Sequence, residues 1–146
     1  MSQRLINGFV GGCLGALVLV IIMYIMLAVN GAVPPFVGMY RGTFGTNAAS
    51  DQFIATILFI ISGGVWGLLY GLLVKRSTIG SAMLFGFLPT LWLLIAVNAF
   101  LGKPLFNGFT PMGIIMPVIF NVVIWGFVLG WYMRNKSVHA KAVTAV

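Results

Sequence analysis

The chain has 146 residues, 61% of them hydrophobic and 6% charged, with a mean hydropathy of +1.12. A soluble domain carries about 25% charged residues, so a water-facing surface is excluded and the bilayer is the solvent that fits. The net charge of +7 is scattered over the ends of apolar runs, where topology and lipid headgroups account for it and a nucleic-acid footprint does not.

The first apolar run covers residues 5–29, after Arg4. It is longer than the apolar core of a signal peptide, about 7–15 residues, and reads as a retained span. Gly8, Gly12 and Ala16 form one row of small residues, and Gly11 and Gly15 a second. Such rows mark close helix contact.

Residues 30–52 form the longest loop. Its breakers are Pro34, Pro35, Gly38, Gly42, Gly45, Asn47 and Asp51. Phe36, Val37, Met39, Tyr40 and Phe44 make it too apolar to extend into water. It is expected to lie in the membrane interface or on the bundle.

The second run, residues 53–74, reaches roughly 33 Å as a helix, enough for a hydrocarbon core of about 30 Å. It contains Gly63, Gly67 and Gly71 and ends in Lys75 and Arg76. Four-residue spacing puts the three glycines on one helix face, where another backbone can approach closely. The short turn 75–78 makes runs two and three antiparallel neighbours.

The third run, residues 79–101, holds Gly80, Gly86, Pro89 and Trp92. Pro89 predicts a kink near its middle. The loop 102–111 carries Lys103, and the fourth run, 112–133, holds Pro117, Asn121, Gly126 and Gly130. The tail from Arg134, with Lys136, His139 and Lys141, is expected to be mobile.

Two halves of the chain resemble each other. Ala28-Val29-Asn30 matches Ala96-Val97-Asn98 at an offset of 68, and Pro34, Phe36 and Gly38 match Pro104, Phe106 and Gly108 at 70. Trp66, Gly67 and Gly71 match Trp125, Gly126 and Gly130 at 59. The fold class is therefore all-α and integral to the membrane: four transmembrane helices as two tandem hairpins, a parallel internal repeat whose pseudo-two-fold runs along the membrane normal. One domain spans residues 1–146, with repeat one at about 8–77, repeat two at about 78–137 and a tail at 138–146.

Counting Lys and Arg gives the orientation. Arg4, Lys75, Arg76, Arg134, Lys136 and Lys141 fall on one side, and only Arg41 and Lys103 on the other. The positive-inside rule then places both termini in the cytoplasm, with a bacterial inner membrane as the expected location.

Candidate chemistry is sparse. Asn121 falls near mid-membrane, where an amide needs a partner. Ser62 is its counterpart in the first repeat. Both are candidate polar or ligand contacts, with an interhelical hydrogen bond as the plainer reading. Trp66 and Trp125, each before a glycine row, are candidates for a paired platform on which an apolar ligand lies. Bundle packing, with each indole N–H bonded to a neighbour, is the plainer alternative. Asn30 and Asn98 read as left-handed helix caps. Asp51 reads as the N-cap of the second span, with pairing to Arg41 as its alternative.

Asp51 is the sole acid, Cys13 the sole cysteine and His139 the sole histidine. No carboxylate pair, nucleophile triad, metal-ligand spacing or phosphate-binding loop can be assembled from them. No enzyme activity, metal or cofactor is expected. The favoured function is a non-catalytic accessory or scaffold subunit of a membrane complex. Its partners would be the lipid bilayer, further copies of the chain or other membrane subunits, with no nucleic acid. A small two-repeat transporter or channel for a neutral or apolar solute is the alternative.

Overall fold

A computed structural model describes residues 2–46 and 49–143, with side chains from 3–46 and 49–136. Asn47, the side chains of Ser137, His139 and Lys141, and the tail positions 144–146 lie outside the described residues. Among the described residues every regular element is helical. Four helices are long and apolar enough to cross a membrane: Gln3–Asn30, Ala49–Leu73, Ile79–Phe100 and Pro111–Lys136. The fold is an all-α, multi-pass integral membrane bundle.

The first and second spans pack most closely, and glycine is the reason. A methyl group placed on Gly67 would lie 2.8 Å from Gly12 Cα and closer still to the Gly8 carbonyl oxygen. One on Gly71 would lie 2.9 Å from the Arg4 carbonyl oxygen, and one on Gly63 2.5 Å from the Ala16 side chain. Real side chains do not sit this close to backbone, so the two helices touch main chain to main chain.

The third and fourth spans meet through a similar row. A methyl on Gly126 would lie 2.7 Å from Met83 Cα, one on Gly130 3.1 Å from the Thr78 carbonyl oxygen, and one on Gly86 2.8 Å from Val122 Cα. The fourth span also crosses the first, where Gly15 accommodates the Trp125 ring and Gly11 the Tyr132 ring.

Large side chains fill the centre. Ala16, Leu19, Tyr70, Ala82, Phe85, Trp125, Leu129 and Met133 form one buried cluster. The connection between the second and third spans is pinned to it. Thr78 and Ser81 form a reciprocal capping box, and the buried Tyr70 hydroxyl lies 2.7 Å from Ser81 Oγ.

The long loop contains an unpredicted helix, Pro35–Thr43. Pro35 sits at its first turn, where a missing N–H costs nothing. Phe36 and Val37 are buried against the bundle, and Phe36 stacks on Phe59 with ring centroids 4.6 Å apart. Packing overrides the breaker signal of Gly38 and Gly42. The loop lies on the bundle, one of its two expected placements.

The prolines break the third and fourth spans in different ways. The third divides at Gly86 into Ile79–Phe85 and Phe87–Trp92, then passes through a π-helical turn at Leu93–Val97. Pro89 lies just past that break. Thr90 Oγ1 donates to the Gly86 carbonyl at 2.8 Å beside it. The fourth runs Pro111–Val118, then a π-helical turn at Ile119–Trp125. Its last helix continues to Val143, past the expected start of the tail at Arg134. Residues 134–143 contain no glycine or proline to stop it.

Pro117 also explains a polar staple at the end opposite the termini. Lacking an N–H, it leaves the carbonyl four residues earlier, on Gly113, without a helical donor. Asn107 Nδ2 donates to that carbonyl at 2.8 Å. Asn98, only 5% exposed, in turn donates from Nδ2 to Asn107 Oδ1 at 2.9 Å. The loop takes left-handed conformations at Phe106, Asn107, Gly108 and Phe109 to make this possible.

Candidate functional site

The glycines predicted to mediate packing fall into two separate internal contacts. Gly63, Gly67 and Gly71 face the first span, and Gly126 and Gly130 face the third. Their chemistry is backbone proximity alone.

The two tryptophans do not form a platform. Trp125 is 3% exposed, and its indole N–H donates to the Gly12 carbonyl at 3.0 Å. A carbonyl in the middle of the first span thus holds the fourth. Trp66 is half-buried and meets Phe85 and Trp92 edge-on, with centroids 6.4 and 6.5 Å away. Each indole crosses to the opposite hairpin, Trp125 to the first span and Trp66 to the third.

The two mid-span polar residues are also apart in environment. Ser62 is exposed on the second span. Asn121 is half-buried within the π-helical turn, its own carbonyl against Gly86. The Asn121 amide makes no side-chain hydrogen bond among the described residues. A half-exposed amide at this depth has only lipid to face unless something else supplies a partner.

Asn30 and Asn98 part company as well. Neither is left-handed; that conformation belongs to Gly31 at φ 72° and Gly102 at φ 64°. The glycines take it because they lack a Cβ. Exposed Asn30 accepts from Ala32 N–H at 3.0 Å through its side chain, whereas buried Asn98 anchors the staple.

Asp51 is not at the cap. The second span starts at Ala49, so Asp51 stands within the first turn, where a negative charge still suits the helix dipole. It is 3% exposed, and its Oδ1 accepts from the Thr46 hydroxyl at 3.5 Å. Asp51 Oδ2 and Arg41 Nε are both shut off from solvent without a hydrogen-bond partner among the described residues. An apolar crevice of about 240 Å³ is walled by Phe36, Tyr40, Phe44, Leu58, Phe59 and Phe100 among others, and neither charged residue lines it. Sequence reasoning weighs Asp51 and Arg41 only as a cap and a pair. The available signal is that the chain's one acid shares a loop with a lone arginine and five large apolar side chains.

Among the described residues no group of three or more metal-binding side chains comes together. Comparison with protein-family models, with curated proteins and with solved structures finds no match.

Proposed function

We propose that the chain is a non-catalytic accessory subunit of a membrane assembly, joined to further copies of itself or to other subunits by helix packing. The observation that carries this reading is Asn121. Its amide sits near mid-membrane, partly exposed and without a hydrogen-bond partner among the described residues, while the centre of the bundle is filled by Tyr70, Leu19, Trp125 and Leu129. An amide from a neighbouring helix would satisfy it, a contact worth about 0.5–2 kcal/mol. Ser62, on the exposed face of the second span, offers a weaker contact of the same kind.

The proposal includes duplication. The same partner geometry recurs in both hairpins: Gly71 meets the Arg4 carbonyl as Gly130 meets the Thr78 carbonyl. Gly67 meets the Gly8 carbonyl as Gly126 meets that of Ala82. The offset is 59 between spans two and four, as in the sequence match, and 74 between spans one and three. The Ala-Val-Asn match gives 68, so a duplicated hairpin requires the third span to have lost six residues between Gly86 and Asn98. The basic residues near both termini and in the 75–78 turn support cytoplasmic termini in a bacterial inner membrane.

A transporter is the second reading. Its support is the two π-helical turns, Leu93–Val97 and Ile119–Trp125, in adjoining proline-bearing spans, since such turns are frequent at functional sites. Flux of small neutral solutes into proteoliposomes separates the two. The assembly reading expects flux equal to that of protein-free liposomes. Flux above that level, abolished by Asn121→Leu, would overturn it.

A further inference from the structure

The end of the bundle that carries both termini gathers positive charge from three parts of the chain. Gly71 packs on the Arg4 carbonyl, so Arg4 lies level with the end of the second span, just before Lys75 and Arg76. Gly130 packs on Thr78 and Ile79, which brings Arg134, one turn further out on the fourth span, level with the 75–78 turn. Lys75, Arg76, Arg134 and Lys136 are exposed, and Arg4 is half-buried. No acidic side chain answers them. Asp51, the only acid in the chain, stands on the first turn of the second span, about 30 Å away along that helix.

These cations border the lipid-facing surface. Ile6, Leu73 and Trp131, each more than half exposed, stand within three residues of Arg4, Lys75 and Arg134 in turn. Lys136 does not extend outward: its Nζ lies over the Tyr132 ring, 5.6 Å from the centroid, one turn back toward the bundle. Cation and exposed apolar side chain thus alternate around one rim, in the order in which a phospholipid presents phosphate and acyl chain. A soluble acidic protein would have to cover the apolar part of that rim with polar surface.

We propose that this rim binds an anionic phospholipid without an ammonium group, phosphatidylglycerol being the simplest. Its phosphate lies among the basic side chains and its acyl chains against the exposed apolar ones. The absence of an acid selects the headgroup. A zwitterionic phospholipid offers the same phosphate, but it brings an ammonium toward these cations with no carboxylate to receive it. The opposite end is a built-in contrast: its cations are Arg41 and Lys103 alone, and Arg41 shares its loop with Asp51. The site does not depend on the assembly role proposed above.

The test uses the full chain in nanodiscs of equal parts phosphatidylglycerol, phosphatidylethanolamine and phosphatidylcholine. Both leaflets then have one composition, so a preference reports the protein surface and not its orientation. Native mass spectrometry identifies the lipids that stay bound on release. The expected result is retention of phosphatidylglycerol at least about fivefold over each zwitterionic lipid, the electrostatic share of one basic residue near an anionic surface. Lys75→Gln with Arg76→Gln, in a chain of wild-type helical circular dichroism, should cut that preference. Arg41→Gln with Lys103→Gln should leave it as it is. Equal retention of the three lipids by the wild-type chain overturns the proposal whether or not the variants fold. A preference that survives loss of Lys75 and Arg76, or that falls as far on loss of Arg41 and Lys103, also overturns it.

Discussion

Trp125 and Asn107 each hold a backbone carbonyl that a helix cannot satisfy or that another helix borrows. Trp125→Phe keeps an aromatic ring in the cluster but removes the donor to Gly12 and shrinks the buried side chain. It is expected to lower bundle stability by about 1 kcal/mol, measured by reversible unfolding in mixed micelles. No change would mean the bond contributes nothing. Asn107 offers a sharper experiment, because its acceptor exists only through Pro117. Asn107→Ala should cost about 1–3 kcal/mol in the wild-type chain, where it orphans the Gly113 carbonyl. In a Pro117→Ala background the helix regains its own N–H, and the cost of Asn107→Ala should fall by about 1 kcal/mol in a double-mutant cycle. Additive losses would separate the asparagine from the proline. The sequence shows Pro117 and Asn98 plainly, but the staple depends on a left-handed loop that closes over ten residues. No periodicity reports such a loop, and so a cap was the natural reading of Asn98.

At the scale of elements, apolar run length was enough to locate all four spans, because a membrane helix must satisfy its backbone internally for about 20 residues. The starts were less legible. The second span begins at Ala49 and so takes in Asp51, since tertiary burial of Asp51 and Ala55 extends the helix beyond its apolar stretch. The Pro35–Thr43 helix was hidden by its two glycines, neither of which has a neighbouring atom within 4 Å of an added methyl. Those glycines are open to substitution: Gly38→Ala should be neutral or stabilising by about 0.5–1 kcal/mol in the same unfolding assay, and a loss would mean the helix is not formed. The packing glycines behave oppositely. Gly67→Leu drives a side chain into the Gly8 and Gly12 backbone and should cost about 3 kcal/mol or prevent folding. Gly126→Leu should cost less, because that row has two glycines, with Val122 rather than a third glycine one turn before Gly126. Equal tolerance of both would contradict the close helix contact.

For the whole molecule, neighbour relations follow from a few long-range contacts: glycine rows join spans one to two and three to four, and Trp125 joins four to one. Composition could fix the solvent and the number of spans, but not which face of each helix meets which neighbour, since lipid-facing and buried positions are equally apolar. That same ambiguity leaves the outer surface to be read from its few polar residues, Asn121 above all. The topology has its own check: a reporter active only in the cytoplasm, fused after Val146, should be active, and activity of an external-only reporter instead would reverse the orientation. The assembly role is tested most directly by the mass of the particle extracted from its membrane in polymer-bounded lipid discs. The account predicts a particle heavier than one chain of 15.7 kDa with its lipid, shifting toward the single-chain mass in Asn121→Leu while the helical content is unchanged. A single-chain particle for the wild type, or an assembly indifferent to Asn121→Leu, would contradict it.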